Sequence, residues 1–269
     1  AFPEYKKVLD KIDDYENIKE LMKSGPEEML TETENTQPAF ALFAAGVTEV
    51  LRANGINPDG ALGLSLGEYG ALYAAGVFSV DDYVNTVAYR GKVMQEAAKG
   101  LNCAMSAILG LDAGAVKKTV DECAVTLDKT GGYVTVANYN CSGQYVICGD
   151  EEAVSYTEEK LKEAGAKRCL RLKVSGPFHT KFMQPAADKL KKRLDEININ
   201  EAKIPVALNA TGDFLNKDDD LRALLEKQIR SSVYFEDDVK KFLDKGADVF
   251  IEIGPGKVIT GFINKIAKA

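Results

Sequence analysis

The chain has 269 residues, 45% of them hydrophobic and 28% charged, the composition of an ordinary globular protein with one large domain or a main domain carrying a smaller insertion. A net charge of −7 and a pI near 5.0 argue against a general nucleic-acid or anionic-membrane surface and favour small molecules or proteins as partners. Five cysteines without a CxxC pair, beside a single histidine, leave no expected metal site and suit reduced thiols in a cytoplasmic core.

No apolar run reaches the ~20 residues of a membrane span, and no charged-then-apolar signal segment opens the chain. It begins at Ala1 rather than Met, so further residues are expected ahead of it. Residues 1–30 read as helices, with Phe2, Tyr5, Val8, Leu9 and Ile12 at 3–4 spacing. "TENTQPAFALFAAGVTEVLRANG" is a long helix stopped at Gly55. A short apolar run from Ala61 to Leu64, then Ser65, then a helical run to Gly76 reads as strand, turn, helix. "SVDDYVNTVAYRGKVMQEAAKG" is a helix with Ser79 as N-cap and acids in its first turn, and it places Arg90 and Met94 on one face.

The pattern changes between Cys103 and Val174. "AMSAILGL" (strand), "DAGAVKKTVDECA" (helix), "YVTVANYN" and "QYVICG" (strands), "DEEAVSYTEEKLKEAG" (helix) and "AKRCLRLKV" (strand) give the βαββαβ order of a ferredoxin-like subdomain. This stretch is read as an insertion, 103–174, in a larger α/β domain made of 1–102 and 175–269. "IPVALNA" is strand-like, "LRALLEKQIRSSVYFEDDVKKFLDKG" gives one or two helices, and "ADVFIEIGPGKVITGFINKIAKA" closes with strand, turn and helix. Strands alternating with helices on either side of the insertion predict a mainly parallel sheet.

Gly63-Leu64-Ser65-Leu66-Gly67 is a GxSxG motif in a strand-turn-helix context, which marks Ser65 as a nucleophile over a merely structural serine. The glycines are read as necessary because side chains would collide in so tight a turn. A serine hydroxyl needs a base, and the one histidine, His179 in "VSGPFHTKFM", is the only candidate for a Ser-His pair. Arg90 is left open: a solvated or salt-bridged arginine, or a buried guanidinium that holds a carboxylate through two parallel hydrogen bonds. "EIGPGKVITG" is neither GxxxxGK[ST] nor GxGxxG and is read as a strand-turn-helix junction.

Taken together, "TENTQPAF", "GLSLGEYGALYAAG", "YRGKVMQEA", "MSAILGL", "NYNCSGQYVICG", "AGAKRCLRLKVSGPFHTKFMQPAADKL" and "IEIGPGKVITGF" resemble the malonyl-CoA:acyl-carrier-protein transacylases of fatty-acid synthesis and, more broadly, polyketide acyltransferase domains. They fall in the family's order and cover nearly the whole chain. The resemblance implies an α/β-hydrolase-like large domain with a ferredoxin-like insertion, and transfer of malonyl from malonyl-CoA to the pantetheine thiol of holo acyl carrier protein through a malonyl-serine. It implies Ser65 as nucleophile and His179 as general base and then acid. It also implies Arg90 on the malonyl carboxylate, the Gln228 backbone carbonyl as orienter of His179, and Leu66 N–H as an oxyanion donor. Met94 and Phe178 would line the substrate, Phe178 as in malonyl-selective members. No cofactor is expected, and the protein would be a cytoplasmic monomer.

Two departures stand out. Leu64 fills a position where the family usually has histidine, which implies a local packing change. The family's opening strand and Gly-Gln-Gly loop, whose glutamine completes the oxyanion hole, have no counterpart here; Gln37 matches a different family glutamine near the site. The rival readings are a serine hydrolase or thioesterase, a trans-acting polyketide acyltransferase, and an inactive scaffold that binds carrier protein. For that last role Lys167, Arg168, Arg171, Lys189, Lys191, Lys192 and Arg193 offer a basic face, against the blander reading of solvated surface charge.

Overall fold

The computed structural model describes residues 2–173 and 176–269. The chain opens with helices α1 (Pro3–Lys11), α2 (Glu16–Ser24), α3 (Glu27–Leu30) and α4 (Thr33–Ala53), then α5 (Leu66–Ala74) and α6 (Val80–Ala98). Ser79 caps α6 as its sequence suggests: its side chain accepts from the Asp82 N–H at 3.1 Å.

Next come β1 (Cys103–Leu109), α7 (Ala113–Asp128), β2 (Val134–Cys141), β3 (Gln144–Asp150), α8 (Glu151–Glu163) and β4 (Arg168–Arg171). The four strands form one antiparallel sheet in the order β2-β3-β1-β4. One face packs on α7 and α8 through Ile108, Val116, Val154, Ile147 and Leu161, all fully buried. The other face carries Met105, Ala107, Ala137, Val146 and Cys148 against Phe178. The last strand is shorter than "AKRCLRLKV" suggests, and Val174 and Ser175, with the expected 174/175 boundary, lie outside the described residues.

The chain then forms α9 (Gln184–Asp195), β5 (Ala207–Leu208), β6 (Asp213–Phe214), α10 (Leu221–Arg230), α11 (Phe235–Asp244) and α12 (Val258–Ile266). The main core joins α4, α5, α6, α9 and α10 through buried Leu42, Leu72, Val87, Leu190, Leu225 and Ile229. The chain is thus a helix-rich α/β protein. All five cysteines are free. No helix among the described residues is long and apolar enough to cross a membrane.

The expected parallel sheet outside residues 103–174 is a correction. Among the described residues, parallel pairing is limited to isolated bridges, Ala61 with Val206 and Asn138 with Val233, and β5-β6 is a two-residue antiparallel ladder. "ADVFIEI" forms no strand: strand propensity makes a strand only where a neighbour supplies the ladder, and Val249 and Ile251 stand 74% and 58% exposed. The basic face is also largely neutralised locally. Arg171 pairs with Glu151 and Glu158, Lys189 with Glu96, Lys191 with Asp195 and Arg193 with Glu196, which favours the solvated-surface reading.

Candidate active site

Ser65 is the N-cap of α5 with φ 56° and ψ −107°, and His179 has φ 61°. Among the described residues they are the only non-glycine residues at positive φ. Such backbone costs of order 1–3 kcal/mol per residue and persists only when the surroundings impose it. The two strained residues meet: Ser65 Oγ lies 2.8 Å from His179 Nε2.

The tautomer of His179 follows from its other partner. Nδ1 sits 2.9 Å from the backbone oxygen of Gln228, an acceptor only, so Nδ1 carries the proton and Nε2 is free to accept from the serine hydroxyl. Gln228 lies in the last turn of α10, where helix carbonyls have no intrahelical donor. The sequence therefore needs no acidic residue beside His179, because a helix end supplies the acceptor.

Arg90 is 1% exposed and makes no ion pair with a carboxylate among the described residues. Nη1 donates to Gln37 Oε1 at 2.7 Å, and Nη2 to Gln228 Oε1 and to Ser65 Oγ at 3.1 Å each. Its guanidinium carbon lies 5.5 Å from the Tyr69 ring centroid, and Nε has no partner. The sequence leaves Arg90 between a solvated role and a buried one; the structure puts it in the buried one, beside the nucleophile. Glycine makes this approach possible: a Cβ at Gly91 would lie 2.7 Å from the Thr33 carbonyl oxygen, so α4 closes on α6 and brings Gln37 to Arg90 and Met94.

Leu66 N–H, the first amide of α5, takes part in no hydrogen bond among the described residues and stands at the positive end of the helix. Met94 is buried against Gln37, whose Nε2 lies 3.4 Å from Sδ. Phe178 is half-buried between the main core and the β1-β3 face. Leu64 packs with Val233, Phe235, Val239 and Phe262, so the substitution in the motif is absorbed by an apolar cluster. Among the described residues, no group of three or more His, Cys, Asp and Glu side chains is arranged to hold a metal ion.

Sequence reasoning missed two participants and left the part of a third unassigned. Asn209 and Glu68 lie fully buried beneath the turn, and Gln37, noticed only as a glutamine near the site, is the direct partner of Arg90. Asn209 reaches Ser65 across 144 positions, a separation that leaves no local signal. Glu68 is pushed up to about 8, first by burial, with the amide of Asn209 opposing. Asp238 is pushed up to about 7, again first by burial, with the Asn209 side chain opposing.

The two motif glycines are not equivalent, which corrects the expectation that both are sterically required. A Cβ on Gly63 would fall 2.0 Å from the Gly67 carbonyl carbon, whereas one on Gly67 meets nothing within 4 Å. Gly63→Ala is expected to destabilise the protein by about 3 kcal/mol or more, and Gly67→Ala to raise stability by about 0.5–1 kcal/mol through helix propensity. Chemical denaturation of both variants checks this; equal effects would contradict it.

Burial, then the positive charge of Arg90, lowers His179 to about 4 from its usual 6.5, with the Gln228 hydrogen bond opposing. The imidazole is therefore neutral at pH 7, as a base must be. The acid limb of kcat/KM for the reaction of Ser65 is expected near pH 4, and a limb at 6.5 would contradict this. Between pH 6.5 and about 4 the unfolded chain binds a proton that the native ring refuses, so this group's contribution to stability is full above 6.5 and is lost as pH falls through that window.

Comparison with known proteins follows the same lines. The family model described as acyl transferase domain matches residues 7–268. The malonyl CoA-acyl carrier protein transacylase of Bacillus subtilis (strain 168) is 43% identical over 266 residues, covering 98% of this chain and 83% of that protein. The crystal structure of malonyl CoA-acyl carrier protein transacylase from Clostridium perfringens Atcc 13124 superposes with TM-score 0.93 at 38% identity, over 100% of this chain and 84% of that one. A solved complex of a type II PKS acyl-carrier protein with its malonyl-transacylase matches with TM-score 0.88 and 36% identity, over 99% of this chain and 84% of that one. The chain belongs to the acyl transferase domain family and is an acyltransferase.

Proposed function

We propose that this protein transfers the malonyl group of malonyl-CoA to the pantetheine thiol of holo acyl carrier protein, supplying fatty-acid synthesis. The observation that carries the reading is a buried guanidinium without a carboxylate partner, 3.1 Å from the hydroxyl of a Ser-His pair. In malonyl-CoA the carboxylate is one methylene away from the thioester carbonyl. A cation beside the nucleophile therefore fits malonyl, and it is left unpaired by acetyl.

Ser65 Oγ attacks the thioester carbonyl while His179 Nε2 takes its proton, and Leu66 N–H donates to the developing oxyanion. The C–S bond breaks and His179 returns the proton to the CoA thiolate. The carrier-protein thiol then gives its proton to His179 and attacks the malonyl-serine. The ester C–O bond breaks and the proton goes back to Ser65 Oγ. Gln228 O holds Nδ1–H throughout, Arg90 holds the carboxylate with Gln37 and Gln228 steadying its Nη atoms, and Met94 and Phe178 bound the acyl space.

The architecture suits this chemistry as an α/β-hydrolase-like part, 1–102 and 175–269, with a ferredoxin-like insertion, 103–174. The β2-β3-β1-β4 order with two helices on one face supports the second description, and the turn from the Ala61 bridge through Ser65 into α5 supports the first. The reaction moves an acyl group between thiol and hydroxyl and calls for no cofactor. We place the protein in the cytoplasm as a monomer that binds neither membrane nor nucleic acid.

The test is a transfer assay with malonyl-CoA and holo acyl carrier protein. Parallel double-reciprocal lines and loading of the carrier protein are expected. Rapid release of free malonate without carrier protein would replace this reading with a hydrolase, and carrier-protein binding without loading would replace it with a scaffold.

A further inference from the structure

Local bonds from Gly67 N–H to Leu64 O at 3.0 Å and from Glu68 N–H to Ser65 O at 3.2 Å close the turn but leave Ser65 N–H unheld, and a serine at φ 56° and ψ −107° released from constraint would relax to ordinary backbone. The hold on Ser65 N–H comes from Asn209, which follows β5 and is fully buried. Its Oδ1 accepts from Ser65 N–H at 2.7 Å, and its Nδ2 donates to Gly63 O at 2.8 Å and to Asp238 Oδ2 at 2.7 Å. Its own N–H donates to Glu68 Oε2 at 2.5 Å, and its carbonyl accepts from Tyr234 N–H at 2.9 Å. Both amide protons, the amide oxygen and both backbone groups are thus used, and they reach the turn before Ser65, at Ser65 and one turn into α5. Gln228 Nε2 adds a bond to Ser65 O at 2.8 Å, so the serine peptide is gripped at both its N–H and its C=O.

We propose that Asn209 is the positioning residue that locks Ser65 in its attacking conformation, its hold on Ser65 N–H leaving the adjacent Leu66 N–H unbonded. The proposal rests on Ser65 being the nucleophile. Only an asparagine of this length supplies one acceptor and two donors at these points; alanine would leave Gly63 O, Ser65 N–H and Asp238 without partners in a dry site.

The experiment compares Asn209→Ala and Asn209→Asp in the full chain, by malonyl transfer and by labelling of Ser65 with a small fluorophosphonate. In Asn209→Ala both kcat and the labelling rate are expected to fall about 10²-fold, with KM for malonyl-CoA nearly unchanged, as for a misplaced nucleophile. Asn209→Asp keeps the acceptor for Ser65 N–H but sets its second oxygen against Gly63 O and Asp238 Oδ2, and it is expected to lose about as much as Asn209→Ala. Wild-type labelling in either variant, or a loss that appears in KM and not in kcat, would overturn the proposal. If neither variant folds, amide hydrogen exchange on the wild-type protein decides: a protected Ser65 N–H beside a faster-exchanging Leu66 N–H is expected, and the reverse order overturns it. A wild-type protein labelled by the fluorophosphonate but inert to malonyl-CoA would refute the substrate while the labelling rates still judge Asn209.

Discussion

Ser65→Ala is expected to eliminate the acyl-enzyme and lower malonyl transfer by about 10⁴- to 10⁶-fold. The reason is geometric. Ser65 Oγ is the one atom that touches both the base, 2.8 Å away at His179 Nε2, and the Arg90 guanidinium, 3.1 Å away. The turn itself is held through the backbone by Asn209 and Gln228, so the variant is expected to keep its fold. Single-turnover transfer from labelled malonyl-CoA measures the loss. His179→Ala should cost about as much, and the double variant little more, because the two groups act as a unit. Residual transfer above about 1% of wild type would mean that another nucleophile does the work.

Arg90→Ala is expected to change specificity as well as rate. Loss of one partner of a buried charge pair costs roughly 2–5 kcal/mol, so kcat/KM for malonyl-CoA should fall by about 30- to 5,000-fold. Acetyl-CoA has no carboxylate to lose, and the preference for malonyl over acetyl should fall by at least about tenfold. A second readout separates this role from simple damage. Arg90 is the second cause, after burial, of the low pKa of His179, so removing it should move the acid limb up from about 4 toward 6.5. Unchanged preference in steady-state assays with the two thioesters would remove Arg90 from the carboxylate site.

The local helices were legible because their signals are local. Ser79 caps α6 through its own side chain, and the apolar spacing of α4 and α6 marks the faces that pack together. The chemistry was legible wherever residue identity is scarce: one histidine and one GxSxG left few pairings, and the structure brings Ser65, His179, Arg90 and Gln228 within hydrogen-bond reach. What could not be read is non-local. The burial of Arg90 depends on how close α4 comes at Gly91, and the hold on Ser65 depends on Asn209, far along the chain. The pattern of "ADVFIEI" reports only a capacity to pair, whereas a strand requires a neighbour at its edge. The necessity of Gly63 and the indifference of Gly67 likewise depend on where the turn folds back on itself.

The central claim is that Ser65 carries the malonyl group between CoA and the carrier protein. It is tested most directly by intact-mass measurement of the wild-type protein mixed with malonyl-CoA alone, followed by peptide mapping. A gain of one malonyl group, located on Ser65 and removed by holo acyl carrier protein, is the predicted result. No gain in mass, or a malonyl group found on a cysteine, would contradict it.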